Sequence, residues 1–136
     1  MQANNRLWPF VLIMSLSGCG GSSSSSGGGP TNPNPAPTGT PPAGPTITIT
    51  SAGVSPKQLE IAVGSRVVFV NNDSVPHEMS SDPHPTHEQC PPINEVSALA
   101  PGQFRQTGVF PTARSCTFHE HGQNTNTALP GTIVIR

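Results

Sequence analysis

Tyrosine is absent from this 136-residue chain, tryptophan occurs once, and charged side chains make up only 10% of it. The tryptophan, Trp8, lies in an apolar N-terminal stretch, so Phe69, Phe104, Phe110 and Phe118 are the whole aromatic supply for a core in the rest of the chain. Lysine and arginine are scattered, with no basic run and no interleaved aromatics, and the formal net charge is −1. This predicts no nucleic-acid partner. No stretch sustains a helical apolar stripe, although "PPINEVSALAPG" has room for a short helical turn. There is no Ser–His–Asp arrangement, phosphate loop or paired-carboxylate motif, so the sequence reads as a protein that is not an enzyme.

What is present is unevenly distributed. All five histidines follow residue 76, and all seven acidic residues follow residue 59. The start is a targeting segment: Arg6, then "LWPFVLIMSL" (7–16), which is too short to cross a bilayer as a helix. "LSGC" (16–19) follows and looks like a bacterial lipobox. Residues 1–18 are therefore expected to be a lipoprotein signal peptide, and Cys19 the acylated N-terminus of an outer-membrane lipoprotein facing the periplasm or the cell surface. Residues 20–45, "GGSSSSSGGGPTNPNPAPTGTPPAGP", have no apolar periodicity. Gly/Ser coil and polyproline-like chain cannot bury a core, so 19–45 is read as the lipidated cysteine and its tether. Outside the cytoplasm, the remaining thiols meet an oxidising environment.

Residues 46–136 carry a period-two signal. "TITIT" (46–50) alternates, and "QLEIAVG" (58–64) places Leu59, Ile61 and Val63 on one face. "RVVFVN" (66–71) is a denser, more buried run, and "GTIVIR" (131–136) is a last β-branched strand. Short strands punctuated by Gly, Pro, Asn and Asp predict an all-β domain built as an antiparallel sandwich.

Chemistry concentrates in two places. "SCTFHEHGQ" (115–123) holds Cys116, His119 and His121. "MSSDPHPTHEQCPP" (79–92) holds His84, His87 and Cys90 in a long connection, of the kind that in a compact domain is functional or stapled. In an extended segment, His119 and His121 face the same side. Two fates are open to Cys116. As a thiolate it is a soft metal ligand. Paired with Cys90, it closes a loop contributing roughly 3–4 kcal/mol in the chain-entropy account. His84 and His87 serve the loop's own hydrogen bonds, or form a second zinc or copper site with Asp82 or Glu88.

"SPKQLEIAVGSRVVFVNNDSVPHEM" (55–79) resembles the cupredoxins, the blue-copper β-sandwiches, through Pro56, Gly64, Val67, Phe69, Asn71, Asp73 and His77. "CTFH" and "LPGTIVI" resemble the second half of that pattern, in the same order. The resemblance implies a Greek-key sandwich over 46–136. It also implies one copper ion held by His77, Cys116 and His119, and a role in electron transfer or in copper holding and delivery with a redox or copper-exchange partner. It tips the reading of Cys116 towards thiolate. Three features depart from the pattern. Leu129 stands where an axial methionine is expected, leaving Met79 as the domain's only methionine. The segment after His119 is long and carries His121. The 79–92 segment is an insertion. With Cys116 lost to a disulfide, His77 and His119 would take copper with His121 or Met79. The alternative is a metal-free sandwich module stapled by Cys90–Cys116.

Overall fold

Alternating side chains become two facing sheets. The structure, a computed structural model, describes residues 37–122 and 129–136. The signal segment, Cys19 and most of the tether lie outside the described residues. One sheet has the order β2-β1-β4-β7, from Gly53–Ser55, Thr46–Thr50, Val68–Asn71 and Phe104–Gln106. The other has the order β3-β9-β8-β5-β6, from Gln58–Ile61, Gly131–Ile135, Arg114–Glu120, His77–Ser81 and Ser97–Leu99. Among the described residues the one helix is α1, Pro91–Asn94, with proline in its first turn, where a missing N–H costs nothing.

The fold is an all-β sandwich. It departs from a purely antiparallel one, because β1 runs parallel to β4 and β3 parallel to β9. The chain changes sheets between β2 and β3, at Ser55 and Pro56, so β3 enters the second sheet alongside its last strand. Residues 37–45, read from the sequence as the end of the tether, already touch the domain. Thr38 bridges Gln103, and the Phe104 amide donates to the Pro37 carbonyl over 3.1 Å.

Ile47 and Ile49 are fully buried and alternate with half-buried threonines, as the pattern of "TITIT" predicts. The two sheets meet at Phe69 and Phe118, whose rings stand edge to face with centroids 5.2 Å apart. That contact depends on a bare backbone at Gly131. A Cβ there would collide with Phe118 Cζ and lie 3.0 Å from the Lys57 carbonyl oxygen. Gly131→Ala is therefore expected to lower stability by about 1–3 kcal/mol, read as a fall in the urea midpoint with an unchanged slope.

Strand parity in β5 and β8 positions everything that follows. Met79 lies opposite Glu120, Ser80 opposite His119, and Ser81 opposite Phe118. Met79, Cys116 and Phe118 belong to the core, so His77 and Glu120 share their inward face. Ser80, Thr117 and His119 face outward.

Candidate metal centre

Cys116 is bonded to Cys90, with Cα atoms 5.8 Å apart. That distance is ordinary for a disulfide. The expectation of a thiolate ligand is corrected accordingly: the sulfur is spent on the bridge and buried in the core. The pattern of cysteine, two residues, then histidine would bring both side chains to one ion only if the strand ended soon after the cysteine. Here β8 continues to Glu120, so Cys116 and His119, three apart, project from opposite faces.

His77 is also engaged elsewhere. It is 4% exposed. Its Nδ1 lies 2.7 Å from Glu120 Oε2, and its Nε2 lies 3.0 Å from Asp73 Oδ2. Glu120 Oε1 also accepts from the Glu78 amide. The hydrogen bond from His77, then that from the Ser74 amide, holds the Asp73 carboxyl below its ordinary value of 3.8. A metal could use His77 only by displacing a carboxylate. Met79 lies on this inner face, and Leu129 is fully buried in the core. A cysteine–two-histidine–methionine set is thus not assembled among the described residues.

The outer face of the same sheet gathers the other four histidines. The loop after β5 folds back over β8 and is fastened along its length. Its Asp82 amide donates to the Thr117 carbonyl, and Gln89 Oε1 accepts from the Thr117 amide at 3.1 Å and its hydroxyl at 2.9 Å. The Cys90 amide donates to Ser81 Oγ at 2.8 Å. Asn94 clasps both ends, accepting from the Ser81 amide and donating to the His87 carbonyl at 2.7 Å. This brings His84 and His87 over His119 and His121. Ring centroids are 5.1 Å apart for His87–His119, 4.6 Å for His87–His121, 5.5 Å for His84–His121 and 5.8 Å for His84–His119.

His84, His87 and His121 each offer a ligand atom, and these atoms all lie within 4.8 Å of one another. His87 Nδ1 donates to the Ser81 carbonyl over 2.8 Å. A carbonyl can only accept, so the other nitrogen, Nε2, carries the lone pair. That Nε2, with His119 Nε2 and His121 Nδ1, is buried without a hydrogen-bond partner among the described residues. Buried polar atoms are nearly always paired, and each unpaired one costs about 1–3 kcal/mol. His87 also adopts a positive φ of 52°, a strained conformation of the kind that collects at functional sites.

The structure therefore brings together two of the four residues expected as ligands, His119 and His121, and leaves His77 and Cys116 on the far side of the sheet. It adds His84 and His87, which the sequence marked only as loop residues or a second site. Asp82, expected as a partner for those two, instead contacts His119 Nδ1 at 2.5 Å. Glu120, the partner of His77, went unnoticed. Parity was the available signal, since a strand that buries Cys116 and Phe118 must also turn Glu120 inward.

No protein-family model matches the sequence, and no curated protein matches it. Solved structures do. A purple cupredoxin from Nitrosopumilus maritimus is 21% identical, with a TM-score of 0.52, covering 68% of this chain and 100% of that one. A reduced Cu(I) form of a mutant amicyanin is 16% identical with a TM-score of 0.53, covering 71% and 86%. Oxidised plastocyanin from Dryopteris crassirhizoma is 14% identical with a TM-score of 0.52, covering 67% and 99%. The likeness is one of fold: this is a cupredoxin sandwich. Among the described residues, the group that could hold a metal is a cluster of histidines on the outside of that sandwich.

Proposed function

We propose that the protein binds one copper ion on the outer histidine cluster, through His84, His87 and His121, and that it holds and delivers copper. The single observation behind this reading is the convergence of these three imidazoles, ligand atoms within 4.8 Å of one another, two of them with a buried nitrogen unpartnered among the described residues. A metal-free module would carry that cost with no return. The stapling disulfide is compatible with either case. Copper is favoured by the fold, because an amicyanin of the same sandwich is described in a Cu(I) form. It is also favoured by the donors, since imidazole suits copper and zinc, and copper(II) stands at the top of the divalent affinity order. With no thiolate or thioether in the set, the site lacks the sulfur ligands of a blue electron-transfer centre. Delivery fits better, as His84 is exposed and gives an incoming partner one ligand to displace. Anchoring through Cys19 in an outer membrane, with the Gly/Ser/Pro tether as spacer, would place the cluster where it can meet a copper-exchange protein.

The test is copper(II) loading of the full chain in detergent, followed by optical and EPR spectroscopy. One retained equivalent is expected, with weak absorption and a spectrum from nitrogen ligands. An intense sulfur-to-copper charge-transfer band, or no retained copper, would overturn the reading.

A further inference from the structure

We infer that Asp82 and His119 act as one unit of this centre: His119 supplies a fourth nitrogen, and Asp82 sets the site's preference for the divalent ion. This rests on the metal-binding reading above. The three mutually close ligand atoms belong to His84, His87 and His121, whereas the buried nitrogens without partners belong to His87, His119 and His121. The two sets overlap but are not the same. His119 is in the second and outside the first, although its ring packs against both His87 and His84.

Its environment explains why His119 belongs with the ligands. The Asp82 carboxylate lies 2.5 Å from Nδ1 and accepts that proton. The lone pair is thereby fixed on Nε2, the atom left buried and unpaired. Parity of β8 puts His119 on the face that carries His121. The Ser81 carbonyl fixes His87 in the same way. A carboxylate behind a ligating imidazole is a recurrent feature of metal centres, where it orients the ring and makes it a stronger donor.

Asp82 differs from Ser81 in carrying a charge. The four imidazoles are neutral as ligands, so a bound ion keeps its whole charge, and among the described residues Asp82 is the carboxylate hydrogen-bonded to a ring of the cluster, that of His119. An anion at a fixed place stabilises a doubly charged ion more than a singly charged one. Its removal must therefore weaken copper(II) more than copper(I) and raise the reduction potential. Asp82 is about one-third exposed, which moderates the effect through solvent screening. Loss of such a carboxylate typically weakens metal affinity 10–100-fold. If that loss falls on the oxidised form alone, each factor of ten raises the potential by about 59 mV.

The experiment uses the full chain and its Asp82→Asn, His119→Ala and His119→Gln variants. It reads affinity for copper(II) and copper(I), reduction potential, and the number of imidazoles coupled to copper(II) by pulsed EPR. Wild type should show four imidazoles. His119→Ala and His119→Gln should each show three, with weaker copper(II) binding. Asp82→Asn should keep four imidazoles, lose 10–100-fold in copper(II) affinity with a smaller loss for copper(I), and rise in potential. An unfolding midpoint for each metal-free variant separates these effects from damage to the fold. Three imidazoles in wild type, unchanged by His119→Ala, would overturn the fourth-ligand claim while leaving the metal reading intact. A potential unmoved in Asp82→Asn would overturn the role of its charge. A wild type that binds no copper would overturn both readings together.

Discussion

Replacing His87 and His121 together by alanine is expected to lower copper(II) affinity by at least about a hundredfold, while the metal-free protein loses little stability. Removing a ligand should cost no less than removing a group behind one, for which 10–100-fold is typical. The small stability effect follows from the same observation that marks the site. Both residues bury a nitrogen with no hydrogen-bond partner among the described residues, so truncation removes unmet polar atoms, which offsets the lost packing and the lost hydrogen bond from His87 Nδ1 to the Ser81 carbonyl. His77→Ala should do the reverse. It leaves the Glu120 and Asp73 carboxylates, whose side chains are 3% and 8% exposed, without the imidazole between them. Leaving the buried Glu120 carboxylate without this partner costs about 1–3 kcal/mol. Copper affinity should change less than threefold, measured under conditions where the variant is folded. Competition against a chelator of known affinity and chemical denaturation, run on both variants, check the crossed pattern. A collapse of affinity in His77→Ala with none in the double variant would return the site to the inner face.

The sandwich was legible because its strands obey a period of two and its turns are marked by proline and glycine. "TITIT", "QLEI" and "GTIVI" became β1, β3 and β9, but β3 ends at Ile61 and Val63, expected on the face of Leu59 and Ile61, is 47% exposed. The parallel pairings were not legible, since alternation is identical in a strand and its reverse. The site was legible in part. His119 and His121 share a face by parity alone, and the density of histidine and proline in 79–92 singled out that loop. The loop's target was hidden. Asp82 holds an imidazole 37 residues away and Gln89 holds the amide and hydroxyl of Thr117, 28 residues away, while Asn94 clasps the loop's own ends, and no spacing rule encodes those contacts. The motif "CTFH" pulled the reading inward. Its spacing matches a familiar copper site, but its meaning depends on where the strand stops, and β8 stops at Glu120 rather than near Cys116.

Loss of the disulfide should destabilise the domain by about 3.5 kcal/mol in the chain-entropy account, given its sequence separation of 26. Cys90→Ser and Cys116→Ser should show similar losses, and so should the double variant, since each removes the same covalent constraint. The copper site should weaken in all three. Cys90 ends the loop that carries His84 and His87, and Cys116 lies in the strand that carries His119 and His121, so the bridge ties one half of the cluster to the other. The loop's hydrogen bonds to Thr117 and Ser81 remain, so binding should fall rather than vanish. The colour of Cys90→Ser is the sharper test. If a freed Cys116 could reach the ion, the copper(II) form would become intensely coloured. Parity says it will not. Cys116 points into the core with Phe118, whereas His119 and the loop histidines lie on the opposite face, and His77 already holds a carboxylate at each nitrogen. Copper-loaded Cys90→Ser should therefore stay as weakly absorbing as wild type, with one thiol reactive only after unfolding. A strong charge-transfer band in that variant would mean that the strand can release its last residues and rebuild the site on the inner face.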